Sequence, residues 1–214
     1  MKRVLSSLIC SSVLLFGVSA QARADIIFMA SPSFVQPEEN LLFNEPGLLA
    51  GPGLVVQGIT NQSDTIFTLT GLESLVTPAA GQARVEDEGA DGFASLAIDA
   101  LGLNIFFTEF EANLNAEADG RATVTATDSM GDVFTFNFDI NGAGQNFFGL
   151  KTINGQFIDT VVITTNVDLQ DVRQIRLGGI QEGDEPDTDV PEPATLALLG
   201  FALVGAAAAK RRRG

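Results

Sequence analysis

Between Asp132 and Ile140 the chain reads Asp-Val-Phe-Thr-Phe-Asn-Phe-Asp-Ile, an alternation of apolar and polar residues that does not break. Successive side chains of a strand point to opposite faces. This period therefore puts Phe134, Phe136, Phe138 and Ile140 on one side and Thr135, Asn137 and Asp139 on the other. A helix would scatter the same residues around its circumference, so the stretch specifies a strand with one core face and one wet face. Arg121 to Thr127 repeats the pattern, with Ala122, Val124 and Ala126 set against three threonines. Asp119-Gly120 is a favoured two-residue hairpin signal and predicts a partner strand between Ala112 and Ala118; Asn154-Gly155 likewise predicts a hairpin of Phe147–Ile153 with Gln156–Thr164.

Further strands are predicted near Ile26–Met29, Leu54–Thr60, Thr65–Thr70, Phe93–Ile98, Leu103–Phe110 and Val172–Leu177. About ten short strands with Gly-rich connections and no amphipathic helix predict an all-β domain over residues 25–180. The expected form is an antiparallel β-sandwich of jelly-roll type. Ser31 to Gly53, with four Pro and three Gly, reads as a loop packed over one end of the sandwich. No period of about 20–50 residues recurs, which argues against a solenoid or propeller.

Both ends read as addresses rather than as parts of this domain. Lys2 and Arg3 precede an uncharged stretch from Val4 to Gln21, and then comes Ala22-Arg23-Ala24 in A-x-A form. That is a secretory signal peptide over residues 1–24, cleaved after Ala24. At the other end seventeen uncharged residues, Pro193 to Ala209, precede Lys210, Arg211, Arg212 and Arg213. As a helix they would reach about 26 Å at about 1.5 Å per residue, just short of the ~30 Å hydrocarbon core. The basic cluster would stay cytoplasmic while the body faces the periplasm. Residues 181–190 carry five acids and no apolar side chain before Val190, and so predict a solvated acidic linker.

All 27 acidic residues but only five basic ones, Arg84, Arg121, Lys151, Arg173 and Arg176, fall between the two ends, leaving the body near −22. Such a charge repels phosphate backbones and excludes nucleic acid as a partner. It suits a solvated exported protein, or one that gathers divalent cations. The chain has no His, Trp or Tyr, and its single cysteine, Cys10, lies inside the signal peptide. A His-dependent triad, a His-ligated zinc, a cysteine nucleophile and an internal disulfide are therefore all impossible in the body. Its aromatic core must be built of Phe alone.

The order Val190-Pro191-Glu192-Pro193, then a Leu/Ala/Gly run, then Lys210 to Arg213 resembles the PEP-CTERM sorting signal of Gram-negative bacteria. The resemblance covers residues 190–213. It implies recognition of the Pro-Glu-Pro by an exosortase, a membrane cysteine transpeptidase, after export by the Sec machinery. The inner membrane would hold the chain transiently, and removal of the segment would send it to the cell surface or extracellular matrix, commonly alongside exopolysaccharide. Phe147-Phe148-Gly149, Ile158–Thr164 and Leu169–Ile175 are loosely similar to the closing strands of small sandwich domains that carry this signal, a similarity that brings no catalytic residues.

Two candidate chemistries remain in the body. Glu109 and Glu111, two apart on a strand, would lie about 7 Å from each other on one face, within the range of paired glycosidase carboxylates. Some jelly-roll glycosidases carry a Glu-x-Asp-x-x-Glu strand, but Asn113 and Leu114 follow here and the third acid is missing. Glu86, Asp87, Glu88 and Asp91 cluster on one predicted loop and are the candidate ligands of a structural Ca2+, although the spacing of an EF-hand is absent. Asp128 and Asp132 could add ligands, but a hairpin turn explains them equally well. No catalytic residue is assigned. The expectation is a non-enzymatic envelope or matrix protein associated with exopolysaccharide, with a Ca2+-dependent carbohydrate-binding module and a glycoside hydrolase as alternatives.

Overall fold

The computed structural model describes residues 25–31, 35–78, 83–102, 104–142 and 144–183. These are all-β, about 66% strand, with no helix. The predicted signal peptide with Ala22 and Ala24, residues 184–190 of the linker, the Val190–Pro193 motif, the apolar run and Lys210 to Arg213 lie outside them.

In chain order the strands are β1 (Asp25–Met29), β2 (Glu39–Leu42), β3 (Gly53–Thr60), β4 (Ile66–Val76), β5 (Arg84–Asp87), β6 (Phe93–Ala100), β7 (Ile105–Phe106), β8 (Glu109–Ala116), β9 (Gly120–Asp128), β10 (Val133–Ile140), β11 (Asn146–Ile153), β12 (Ile158–Gly178) and β13 (Gln181–Glu182). The pairings are antiparallel, and β12 organises them. Its first half, residues 158–165, lies between β9 and β6; its second half, residues 169–178, has β8 on one side and β5 and then β2 on the other. Two wings result. One runs β1-β11-β8-β12 and on to β5, the other β10-β9-β12-β6-β4-β3, and β2 joins them by pairing both β12 and β3. The small β7–β13 pair stands apart and holds the end of the described chain.

The wings close on one apolar core. With no Trp or Tyr available, a chain of phenyl rings crosses it: Phe67 meets Phe107 at 5.8 Å, Phe107 meets Phe110 at 6.3 Å, and Phe110 meets Phe148 at 5.7 Å. Phe148 then touches Phe138 at 5.6 Å, and Phe28 stacks on Phe136 at 5.1 Å. Such distances are those of favourable offset and edge contacts. The last pair links β1 to β10, the outermost strand of each wing, so rings close the side of the sandwich where these two strands are not paired among the described residues. The faces read from alternation hold: Ala122, Val124 and Ala126 are fully buried, while Phe134, Phe136 and Phe138 are half-buried against the core.

Several expectations need correction. β8 and β9 do not form a hairpin, because β8 pairs with β11 and the second half of β12 while β9 pairs with β10 and the first half. Neither Asp119 nor Gly120 takes the positive φ that a type I′ turn requires. Instead both ends of the connection grip the bend of β12. Glu117 N donates to Asp168 O at 2.9 Å and Arg121 N to Asn166 Oδ1 at 2.7 Å. Asn154 and Gly155 do have φ of 60° and 74°, yet β11 and β12 diverge after the turn into different wings.

The strands expected at Gln156–Thr164 and Val172–Leu177 are one strand of 21 residues, carried around the bend by register shifts. The stretch expected at Leu103–Phe110 is broken into β7, a lone bridge of Phe107 to Ile158, and the start of β8. Within the predicted Ser31–Gly53 loop lies β2, whose Leu41 is fully buried. The Asp128–Asp132 segment is the β9–β10 hairpin turn: Asp128 Oδ1 accepts from the amides of Met130 and Asp132 at 2.9 and 2.8 Å.

Candidate functional site

Glu109 and Glu111 stand on the outward face of β8, with Phe110 between them in the core. Each carboxylate has its own cation. Glu109 Oε1 accepts from Lys151 Nζ at 2.6 Å, and Glu111 Oε1 lies 3.9 Å from Arg176 Nη1. The hydrogen bond and charge of Glu109, with a smaller contribution from Glu38, raise the Lys151 ammonium above its ordinary range. Glu111 is only 6% exposed. The predicted pair is thus on one face, but it forms two rungs of an ion-pair ladder.

The four acids proposed for Ca2+ part company in the same way. Glu86 turns to Arg84 Nε, and Glu88 accepts from Ser74 Oγ at 2.8 Å. Asp87 and Asp91 stay together around Gly89, with Asp87 Oδ2 accepting from the Asp91 amide at 3.1 Å. Among the described residues no three Asp, Glu, His or Cys side chains converge where an ion could sit.

What the outward face of the first wing does gather is a polar grid that loop acidity did not signal. Asp171 of β12 stands between Asn115 of β8 and Glu86 of β5, and Arg173 stands between Asn113 and Arg84. Neighbouring strands are about 4.8 Å apart and residues i and i+2 about 7 Å apart, which sets the mesh of the grid. Val172, Leu114 and Val85, between these positions, are fully buried on the core side. Arg173 thus faces Arg84, and Asp171 faces Glu86; like charges opposite one another would destabilise the sheet. The charges are resolved along each strand instead. Arg173 forks onto Asp171 through Nε and Nη2 at 2.5 and 2.6 Å, and Arg84 Nε reaches Glu86 at 2.5 Å.

Asn115 Nδ2 completes the network by donating to Asp171 Oδ2 at 2.8 Å and to Gln170 Oε1 at 3.0 Å. Asp171 is only 5% exposed. Above the grid, Asp87 at the end of β5, Ala90 and Gly92 of the β5–β6 loop, and Glu117 form a rim, enclosing a cleft of about 360 Å³. Ala90 and Gly92 hold φ of 59° and 88°, which turns that loop over the sheet. The signal that could have found the cleft is the pair of short patterns Arg84-x-Glu86 and Asp171-x-Arg173. In a body with five cations, two such i, i+2 pairs on strands mark one polar face. Four of the five cations lie on this wing; the fifth, Arg121, pairs with Asp139 on β10.

Residues 189–213 match the family model of the PEP-CTERM protein-sorting motif, which spans Val190, Pro191, Glu192, Pro193 and the Lys210–Arg213 cluster. The motif marks an exported protein, held transiently in the membrane and then cut, with an exosortase as its processing partner. No curated protein matches the chain.

Proposed function

We propose that this protein is a non-enzymatic structural or adhesive component of the cell envelope or extracellular matrix. It is exported behind its signal peptide, trimmed at Pro191-Glu192-Pro193, and then acts as an acidic β-sandwich of jelly-roll type in contact with exopolysaccharide. The observation that carries this reading is the sorting motif at residues 189–213, which gives the body a route to the surface. The body supports it chemically, because three carboxylates of its polar wing are paired with cations: Glu109 with Lys151, Glu86 with Arg84 and Asp171 with Arg173. A hydrolytic pair would need one of its acids held ready to give up a proton and the other ready to attack or to activate water.

Intact-mass analysis of the protein from each cell fraction, with and without the cognate exosortase, tests the route. The surface form is expected to begin at Asp25 and to lack Lys210 to Gly214. A surface form still carrying those residues overturns it.

A further inference from the structure

We infer that the cleft over β5, β12 and β8 is a binding site for a neutral polyhydroxylated ligand, a saccharide segment of about one or two rings. This rests on the polymer-associated reading above and gives the contact a place.

The inference comes from what the grid leaves unspent. Asp171 is satisfied by Arg173 and Asn115, and both hydrogens of Asn115 Nδ2 are used. Arg173 Nη1 and Gln170 Nε2 remain as donors without a partner among the described residues, and Asn115 Oδ1 and the Glu117 carboxylate remain as acceptors. An anion would want donors alone and a metal ion acceptors alone. A sugar hydroxyl is donor and acceptor at once, so neighbouring hydroxyls use a mixed set of fixed groups in full. The charge balance agrees. Arg84 and Arg173 face Glu86, Asp87, Glu117 and Asp171 across the cleft, an excess of two carboxylates that disfavours an anionic polymer.

The size and stiffness of the cleft agree as well. At about 360 Å³ it falls at the small end of ligand pockets. Its floor is three paired strands, with Asp171 and Asn113 buried beneath the binding groups. Arg173 and Asn115, already fixed on Asp171 by bidentate and amide bonds, lose little freedom on binding, which spares part of the ordering cost.

The test uses the mature protein purified from the surface fraction and three immobilised probes: the producing cells' own exopolysaccharide, a neutral glucan oligosaccharide and a polyuronate. Retention on the first two is expected to persist in about 1 M salt, where charge interactions are screened beyond about 3 Å. Arg173→Ala and Gln170→Ala are expected to weaken retention about tenfold, the effect of a lost hydrogen bond in such a site. Arg121→Ala, on the other wing, should leave it unchanged. Gln170 and Glu117 are exposed, so Gln170→Ala and Glu117→Ala report on the cleft even if Arg173→Ala melts early.

Retention of every cleft variant at the wild-type level overturns the cleft while leaving polymer association standing. Retention on the polyuronate alone, lost in salt, overturns the ligand class. Retention on none of the probes removes both the cleft and the association with polymer, whatever the mass analysis says of sorting.

Discussion

The outward faces of the two wings obey the same alternation and come out differently. On β9 and β10, Thr135, Asn137 and Asp139 are exposed, and the one ion pair there, Arg121 with Asp139, has side chains 62% and 82% exposed. On β8, β12 and β5 the equivalent positions hold Glu111, Asn113 and Asp171, each less than a tenth exposed. The first face is polar because water covers it. The second is polar although other parts of the chain cover it, so its groups had to find partners within the protein. Alternation decides which side of a strand faces away from the core; whether that side meets solvent is a tertiary matter.

The two wings share their core, and removing the shared contact should give the largest effect. Phe148 is fully buried and meets Phe28, Phe110 and Phe138, which come from both wings. Phe148→Ala is expected to cost about 3–5 kcal/mol in denaturant unfolding. Phe136 touches Phe28 on the open side and is only half-buried. Phe136→Ala should cost well under half as much. Equal losses would mean that the edge rings, and not the centre, hold the wings together.

A smaller effect separates the outward faces themselves. Asp171→Ala strands a guanidinium and an amide that now share one buried carboxylate. Breaking a fully buried ion pair costs about 3–5 kcal/mol, and because Arg173 keeps a third of its side chain in water the expected loss is about 2 kcal/mol. Asp139→Ala, on the solvated face, should cost no more than about 0.5 kcal/mol, as exposed pairs do. Similar values for the two, measured in the same unfolding series, would erase the distinction between covered and wet polar faces.

The same distinction explains what could be read from the sequence. The faces of β9 and β10, the aromatic core made of Phe and the positive φ at Asn154-Gly155 are local properties, and local patterns carried them. The partners of β8 and β11 were not legible, because β12 bends through both wings and separates strands that a turn signal had joined. Asp119-Gly120 shows why: the dipeptide permits a tight reversal, but the hydrogen bonds of Glu117 and Arg121 to the β12 bend hold it open. The acidic loop divides in a related way. Glu86 and Glu88 are neighbours of Asp87 in sequence, yet Arg84 and Ser74 draw them off in separate directions. The cleft was missed because Arg84 and Arg173 are 89 residues apart and meet only through strand register.

Acid sensitivity gives the finest comparison. On the first wing Glu86, Glu109, Glu111 and Asp171 have cations, whereas on the second Asp99 of β6 sits near Asp159 of β12 and no cation pairs with either among the described residues. Partial withdrawal from water, and then the Asp159 charge, raise the Asp99 carboxyl above its ordinary value, outweighing the Ala100 backbone hydrogen bond that lowers it. The folded state therefore binds this proton more tightly than the unfolded chain does. Its contribution favours folding at low pH and is lost as pH rises from the unfolded value, about 4, through the raised folded one. Asp99→Asn is thus expected to stabilise at neutral pH, by no more than about 0.5 kcal/mol because solvent screens the site. The gain should shrink as pH falls through about 4 and vanish well below it, where wild-type Asp99 is protonated in both states. Unfolding curves of the two proteins between acid and neutral pH would show this as a gap that opens with rising pH. A gap that closes with rising pH would mean that Asp99 is stabilised as a charge by a counter-ion, and a constant gap that folding leaves its affinity for the proton unchanged.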